Sequence, residues 1–381
     1  MSTPGTIETL SPQQARSRQQ RGARLIDVRE AGERASGMAE DATGIALSEL
    51  LDDPVSHLGA PGSGNEILLI CASGQRSSNA AKALAALGYA RLASVEGGTE
   101  RWRADGLPMT TPEADADFLE RYSRHLLLPQ VGLEGQRRLA QTRVLLVGAG
   151  GLGAPISLYL AAAGIGRLVI CDDDVVELSN LQRQVIHTEA SIGQPKVASA
   201  QRTLTALNHR TEVVTVPERV SSANIDALLS DVDIAIDGTD NFALRYLLSD
   251  ACVKHARPMI YGAVQRFSGQ VSVFDAGRQR GVAPCYRCLF PEPPHPEDAP
   301  NCSEAGVLGV LPGLVGLLQA NEALKLALGI GQSLAGRLLS FDALTSHFRE
   351  IRLPPDPDCA VCAAGREFPG YIDYVRFCSG G

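Results

Sequence analysis

The stretch Arg143-Val144-Leu145-Leu146-Val147-Gly148-Ala149-Gly150-Gly151-Leu152-Gly153 decides the reading of this chain. Its apolar start reads as a buried strand, and the glycines that follow, in the order G-x-G-x-x-G, end where a helical pattern begins. Glycines there let a phosphate approach the backbone, and the N-terminus of the next helix attracts its charge. A second apolar run at 168–171 leads into Asp172, nineteen residues past the last glycine, where an acidic side chain can hydrogen-bond a ribose. Strand, glycine turn, helix and strand open a nucleotide-binding α/β domain. The 23 uncharged residues between Arg143 and Arg167 are long enough to cross a bilayer. Six of them form the glycine turn and an Asp triplet follows at 172–174, so no membrane span is expected.

Working outward, the chain has 381 residues, of which 44% are apolar, 20% charged and 5% aromatic, a balance suited to a soluble α/β protein of two or three domains. A net charge of −8 argues against a nucleic-acid partner, and nine cysteines are too sparse for a disulfide scaffold. The first thirty residues are polar and basic with no apolar core, so a reducing cytoplasm is the expected setting. Residues 1–109 alternate short apolar runs with Ala-rich helical stretches and read as a small α/β domain. Residues 110–117 are polar with a proline and read as a linker. Residues 118–381 form a larger α/β domain with strand-like runs at 143–147, 168–171, 212–216, 234–237 and 270–274. The stretch 290–301 holds five prolines and reads as a crossing loop, whereas 305–321 reads as a buried helix broken by Pro312.

Cys71-Ala72-Ser73-Gly74-Gln75-Arg76 follows an apolar run and precedes a helix expected to open near Ser77. A loop so placed can aim successive backbone N–H groups and the positive end of a helix at the sulfur, the setting in which cysteines react as thiolates. Arg76 adds positive charge or braces the loop. The bland alternative makes Cys71 a small buried hydrophobe. Taken with Leu25-Ile26-Asp27-Val28-Arg29-Glu30 and Glu96-Gly97-Gly98-Thr99-Glu100-Arg101-Trp102, the loop resembles a rhodanese domain over residues 5–109. The resemblance implies that Cys71 carries a persulfide and that Asp27 and Arg29 belong to the structural signature. Four residues separate Cys71 from Arg76, one fewer than in the related phosphatase loop, which makes a tighter cradle suited to sulfur.

On the nucleotide side, Ser179-Asn180-Leu181-Gln182-Arg183-Gln184 and Gly193-Gln194-Pro195-Lys196 place two cations shortly after the ribose position. They match the charge of a triphosphate and would have no task in a nicotinamide-dependent oxidoreductase, the first competitor. Asp240, in Asp237-Gly238-Thr239-Asp240-Asn241, sits where a carboxylate can hold Mg²⁺. The alternative makes Arg183 and Lys196 solvated charges and Asp240 a helix N-cap. From Arg121-Tyr122-Ser123-Arg124 to Asp358-Cys359-Ala360-Val361-Cys362 the pattern resembles the ThiF/MoeB-type adenylyltransferases, bacterial relatives of ubiquitin-activating enzymes.

That resemblance implies a Rossmann-like adenylation domain preceded by the small α/β rhodanese domain. It makes Gly148, Gly150, Gly151 and Gly153 the phosphate loop and Asp172 the ribose contact. Asn180, Arg183 and Lys196 become triphosphate ligands, and Asp240 the magnesium ligand. Arg124 matches an arginine supplied by the neighbouring subunit of a homodimer. The implied reaction uses ATP to adenylate the C-terminal Gly-Gly carboxylate of a small ubiquitin-like sulfur-carrier protein. Persulfide sulfur on Cys71, from a donor such as a cysteine desulfurase or thiosulfate, then gives a thiocarboxylate. Related carriers serve molybdopterin, thiamine and tRNA thiolation. Better-known fusions place the rhodanese domain second, whereas here it comes first. The second competitor is a sulfur-delivery scaffold whose nucleotide site no longer turns over.

Cys285-Tyr286-Arg287-Cys288 and Cys359-Ala360-Val361-Cys362 are two C-x-x-C pairs, and four thiolates make a closed structural Zn²⁺ site. Cys302 matches a position where similar proteins often have a cysteine that attacks the activated carrier or exchanges sulfur. Cys171 and Cys252 lie in apolar segments and are expected in the core, while Cys378 is expected to be exposed near the terminus.

Overall fold

The computed structural model describes residues 7–34, 37–62, 64–110, 116–293 and 306–378. The chain divides into two compact units, Met1–Gln136 and Arg137–Gly381. The first holds β1 (Glu8–Leu10), β2 (Arg24–Asp27), β3 (Met38–Ala39), β4 (Thr43–Gly44), β5 (Ile67–Ile70), β6 (Leu92–Val95) and β7 (Met109–Thr110). Five of these make a parallel sheet in the order β1-β6-β5-β2-β4, and β3 pairs antiparallel with β7. The central strand β5 is apolar at every position because both of its faces are covered. Ile67 and Leu69 join one core with Ala80, Ala81 and Leu84 of the helix Gln75–Ala86. Leu68 and Ile70 point the other way, into a core around Trp102. Each such side chain contributes roughly 1.5–3 kcal/mol by burial, which fixes the end of β5 and hence the position of Cys71. The helix expected near Ser77 begins two residues earlier, after Gly74 at φ +93°, so Arg76 stands in its first turn.

The second unit holds β8 (Arg143–Val147), β9 (Arg167–Cys171), β10 (Glu212–Val216), β11 (Ile234–Asp237), β12 (Met259–Gln265), β13 (Ser268–Phe274), β14 (Arg337–Asp342) and β15 (His347–Arg352). They form one sheet in the order β10-β9-β8-β11-β12-β13-β14-β15. The strands from β10 to β12 run parallel, and the remainder are antiparallel. The chain enters at β8, winds outward through β9 and β10, then returns to β11 on the other side. That reversal opens a crevice beyond the carboxyl ends of β8 and β11, where ligands bind in such sheets. The helix expected at 305–321 runs instead over Val310–Leu328. Pro312 lies in its first turn, where backbone N–H groups lack intrahelical partners, so the proline opens this helix rather than breaking it. Among the described residues no helix is long and apolar enough to cross a membrane.

Candidate active site

At the end of β8 the chain turns at Gly148, whose φ of +99° favours glycine. A Cβ on Gly153 would lie 2.0 Å from the Gly148 carbonyl oxygen, so only glycine lets the helix Gly153–Ala163 start so close to the turn. Two side chains hold the turn from outside. Asp172, just past β9, accepts the Ala149 N–H at 2.7 Å on one carboxylate oxygen and the Asp174 N–H at 2.9 Å on the other. Buried His187 bonds the Ala149 carbonyl at 3.0 Å through Nε2 and Ser199 Oγ at 3.0 Å through Nδ1. A carbonyl only accepts, so Nε2 carries the proton and Nδ1 accepts from the serine. Burial pushes the His187 pKa down, against the opposing pull of the Ala149 carbonyl, and the ring is kept neutral.

The turn forms one wall of a cavity of about 610 Å³ whose lining includes Gly148, Gly150, Gly151, Asp172, Asn180, Arg183, Lys196 and Asp240. Lys196 opens the helix Lys196–Leu207, is only 6% exposed, and donates from Nζ to Asp174 at 2.6 Å. It is therefore not the solvated charge of the bland reading. Asn180 is buried and takes the Glu177 N–H at 3.3 Å, while the Arg183 guanidinium, at the cavity wall, holds the Ser179 carbonyl at 3.1 Å.

On the opposite wall the cap of the helix Phe242–Lys254 is Asn241, whose Oδ1 accepts from Leu244 N at 3.0 Å. The N-cap alternative for Asp240 is thus overturned, and its carboxylate stands exposed beside the cavity. Asp237 shapes this loop by accepting from Thr239 N at 3.0 Å and Thr239 Oγ1 at 2.8 Å. Its other oxygen meets Arg245 Nε at 2.7 Å in a fully buried ion pair. Burial works against the Arg245 charge, but Asp237 outweighs it and holds the guanidinium pKa above its ordinary value. Gln319 closes the group, donating to the Asp237 carbonyl at 2.7 Å.

In the first unit, Cys71 follows β5 and is 1% exposed. Its sulfur accepts from Gly74 N at 3.1 Å, Ser77 N at 3.3 Å and Ser77 Oγ at 3.4 Å. Ser77 Oγ is also bonded to Ser94 Oγ at 2.9 Å. Donors converging on sulfur stabilise negative charge there, which a satisfied core hydrophobe would not need. Under the loop, Asp27 and Arg29 form a buried ion pair, with Arg29 Nη2 2.6 Å from Asp27 Oδ2. Arg76 pairs through both terminal nitrogens with Glu33, Nη1 to Oε2 at 2.7 Å.

The two C-x-x-C pairs converge. Cys285 and Cys359 sulfurs are 3.6 Å apart, Cys288 and Cys362 3.4 Å, and Cys285 and Cys288 3.9 Å. A tetrahedron of thiolates with Zn–S bonds of about 2.3 Å has edges of ~3.8 Å, so the four sulfurs fit a metal and are too far apart for disulfides.

Cys171 and Cys252 are buried as expected, and burial pushes the Cys171 thiol up to about 12. Cys378 departs from expectation: it is half-buried rather than exposed, with its pKa raised by that burial. Arg124 is exposed on the short helix Ser123–Leu126. Cys302, most of the proline-rich stretch and the final glycines lie outside the described residues. Sequence reasoning missed His187, Asp174, Arg245, Gln319 and Glu33. Arg245 left a trace, as a charge near the start of a largely apolar helix beside the Asp237 loop, and Asp174 as the last of the Asp triplet.

A glycine turn at the switch point of a doubly wound sheet, facing Asp172, Lys196 and Arg183, defines a nucleotide-binding α/β protein. The ThiF family model matches residues 122–361, and the rhodanese-like domain model matches residues 11–105. The chain belongs to the ThiF family and carries a rhodanese-like domain ahead of the ThiF region. It is 49% identical over 261 residues to the sulfur carrier protein adenylyltransferase of Thermus thermophilus, covering 68% of this chain and 96% of that one. With the SAMP-activating enzyme E1 of Haloferax volcanii it shares 47% identity over 270 residues, covering 71% and 98%. With the adenylyltransferase and sulfurtransferase MOCS3 of Anopheles gambiae it shares 48% over 263 residues, covering 69% of this chain and 59% of that protein. Among solved structures, E. coli MccB with ATP aligns at a TM-score of 0.55 with 22% identity, over 64% of this chain and 74% of that one, a likeness of fold.

Proposed function

We propose that this protein is an adenylyltransferase that activates the C-terminal Gly-Gly carboxylate of a small ubiquitin-like sulfur-carrier protein with ATP, coupled to sulfur transfer from Cys71. The observation that carries the reading is the single cavity lined by the glycine turn, Asn180, Arg183, Lys196 and Asp240. The carrier carboxylate attacks the α-phosphate and pyrophosphate leaves, so two anions must meet. Each fixed cation a few ångströms from a phosphate offsets that repulsion by up to about 4 kcal/mol at an effective dielectric near 20. Arg183 and Lys196 line the cavity to do this, Lys196 sharing its ammonium with Asp174, and no covalent bond to the protein is needed at this step. Asp172 orients the ribose while it braces the turn. Asp240 would hold Mg²⁺, which supplies further neutralisation of the phosphates.

Cys71, loaded as a persulfide, then attacks the activated carbonyl, and AMP departs to leave an acyl disulfide, precursor of the thiocarboxylate. Cys285, Cys288, Cys359 and Cys362 hold a structural Zn²⁺ that ties the C-terminal segment to the body. Arg124 completes a partner's nucleotide site in a homodimer, Cys302 takes part in the sulfur exchange, and free thiols of these kinds suit a reducing cytoplasm. The reading divides the chain into a rhodanese-like domain 1–109, a linker 110–117 and an adenylation domain 118–381.

The test is ATP–pyrophosphate exchange with and without a carrier ending in Gly-Gly. Carrier-stimulated exchange is expected. Tight nicotinamide binding without exchange would hand the site to the oxidoreductase reading, and neither activity would leave the scaffold.

A further inference from the structure

The sulfur loop contains one charged side chain, Arg76, and that charge is already taken. Glu33, on the helix Ala31–Arg34, grips both terminal nitrogens of Arg76. The neighbouring charges at the end of β2, Asp27 and Arg29, neutralise one another. Arg76 is 39% exposed along its side chain and Glu33 15%, so the ion pair stands at the edge of the loop rather than inside the core. With Cys71 as an attacking thiolate, Arg76 offers an incoming anion no unpaired charge, and Arg34, on the same helix as Glu33, is turned to the backbone carbonyls of Asp27 and Arg29.

We infer that Glu33 is a specificity-determining residue: by occupying Arg76 it turns Cys71 away from dianionic sulfur donors and toward an alkyl persulfide, R–S–SH. The inference rests on the reading of Cys71 as sulfur acceptor and names the donor for that site. In the favoured step the Cys71 thiolate attacks the outer sulfur of R–S–SH. A new S–S bond forms to Cys71 Sγ, the donor's own S–S bond breaks, and the inner sulfur leaves as R–S⁻ with the electron pair. The proton stays on the transferred sulfur, so Cys71–S⁻ and R–S–SH become Cys71–S–SH and R–S⁻ with one negative charge on each side. With thiosulfate the same displacement brings a dianion against a thiolate and expels sulfite, and three negative charges crowd the mouth throughout. A cation free to bind the sulfonate would relieve that, and Glu33 withholds it.

The experiment uses the full chain and three donors: thiosulfate, a small persulfide whose R group is uncharged (2-hydroxyethyl persulfide), and a cysteine desulfurase charged with cysteine. Loading of Cys71 is followed as the mass of one added sulfur. The readout is the ratio of thiosulfate to persulfide kcat/KM. In Glu33→Gln this ratio is expected to rise about tenfold or more, through a lower KM for thiosulfate, the scale of effect of one charge at a substrate mouth. Glu33→Asp keeps the charge and the wild-type ratio. Because Glu33 acts through Arg76, Glu33→Gln changes nothing in an Arg76→Gln background, a coupling that a merely structural role would not show. An unchanged ratio in Glu33→Gln, or the same rise with Arg76 absent, overturns the inference. The faster of the two persulfide donors identifies the source, small molecule or protein, and either result agrees with it. Should the wild type take sulfur from no donor, or Cys71→Ser still take it, the acceptor reading itself falls, which is distinct from a Cys71 that loads with no regard to Glu33.

Discussion

Cys71 and Gly148 occupy matching points on parallel strands of the two sheets: each is the first residue after an inner strand, and each opens the loop that leads to a helix N-terminus. What the two loops do with that position differs. The first turns its amides inward, so that Gly74 and Ser77 donate to the sulfur that begins the loop. The second leaves its glycines lining an open cavity and is braced from elsewhere by Asp172 and His187. A covalent cargo on one's own side chain needs a few local donors. A transient polyanion needs cations, and on the proposed reading these come from segments some thirty to fifty residues down the chain, at Arg183 and Lys196. The same supersecondary element thus serves group carriage or charge neutralisation according to where the positive charge is kept.

The largest effect is expected from separating the two. Cys71→Ser should abolish sulfur loading while ATP–pyrophosphate exchange continues, because sulfur enters only after the adenylate has formed. Loss of exchange in this variant would mean that the loops are not independent chemical stations.

The comparison extends below the loops. Asp27 ends β2 and Asp237 ends β11, and each is the last residue of a strand beside the loop-bearing one, bonded to an arginine within the core. Asp27 finds Arg29 two residues on, whereas Asp237 takes Arg245 from the following helix and holds Thr239 as well. Arg245→Met should therefore cost about 3–5 kcal/mol in denaturant unfolding of the second unit, because a buried carboxylate is left without its partner. Changing both residues, Asp237→Asn with Arg245→Met, should recover much of that loss. If the single variant is as stable as the wild type, the ion pair does not brace the Asp240 loop. Next in size, Lys196→Ala should lower carrier-stimulated exchange by about 10²–10³, as loss of a preorganised group does, with sulfur loading of Cys71 untouched. A fall of only a few-fold would assign Lys196 to holding Asp174 rather than phosphate.

The sequence made the local parts of both sites legible. Glycine order, an aspartate after the second strand and a cysteine after an apolar run are contiguous signals, and the structure places each at a strand end. The cysteine pairs were legible because C-x-x-C spacing survives any fold. What could not be read came from distance in the chain. Glu33 meets Arg76 across 43 positions and His187 meets Ala149 across 38, and neither pairing has a local pattern. Asp240 was read as either a metal ligand or a cap, and the choice depended on one residue of register, since Asn241 caps the helix. Pro312 was misread for a related reason: a proline breaks a helix or starts one according to which turn it occupies.

The smallest effect tests the brace that sequence missed. In the glycine turn the brace carries a proton, whereas the donors to Cys71 are amides and a hydroxyl that do not titrate. Burial holds His187 below its ordinary value of 6.5, so on acidification the unfolded chain takes up a proton near that pH while the folded ring has not yet done so. The unfolded state then binds more protons, and stability, fully present above about pH 6.5, falls as pH drops from there through the folded pKa. Gln at 187 can still donate to Ala149 and accept from Ser199 but does not titrate. His187→Gln should cost about 1 kcal/mol at neutral pH, the scale of one imperfect hydrogen bond, and flatten the decline of the unfolding midpoint below about pH 6.5. Parallel pH curves for the two proteins would show that protonation of this ring does not limit the turn, and the contrast between a titrating and a non-titrating brace would be lost.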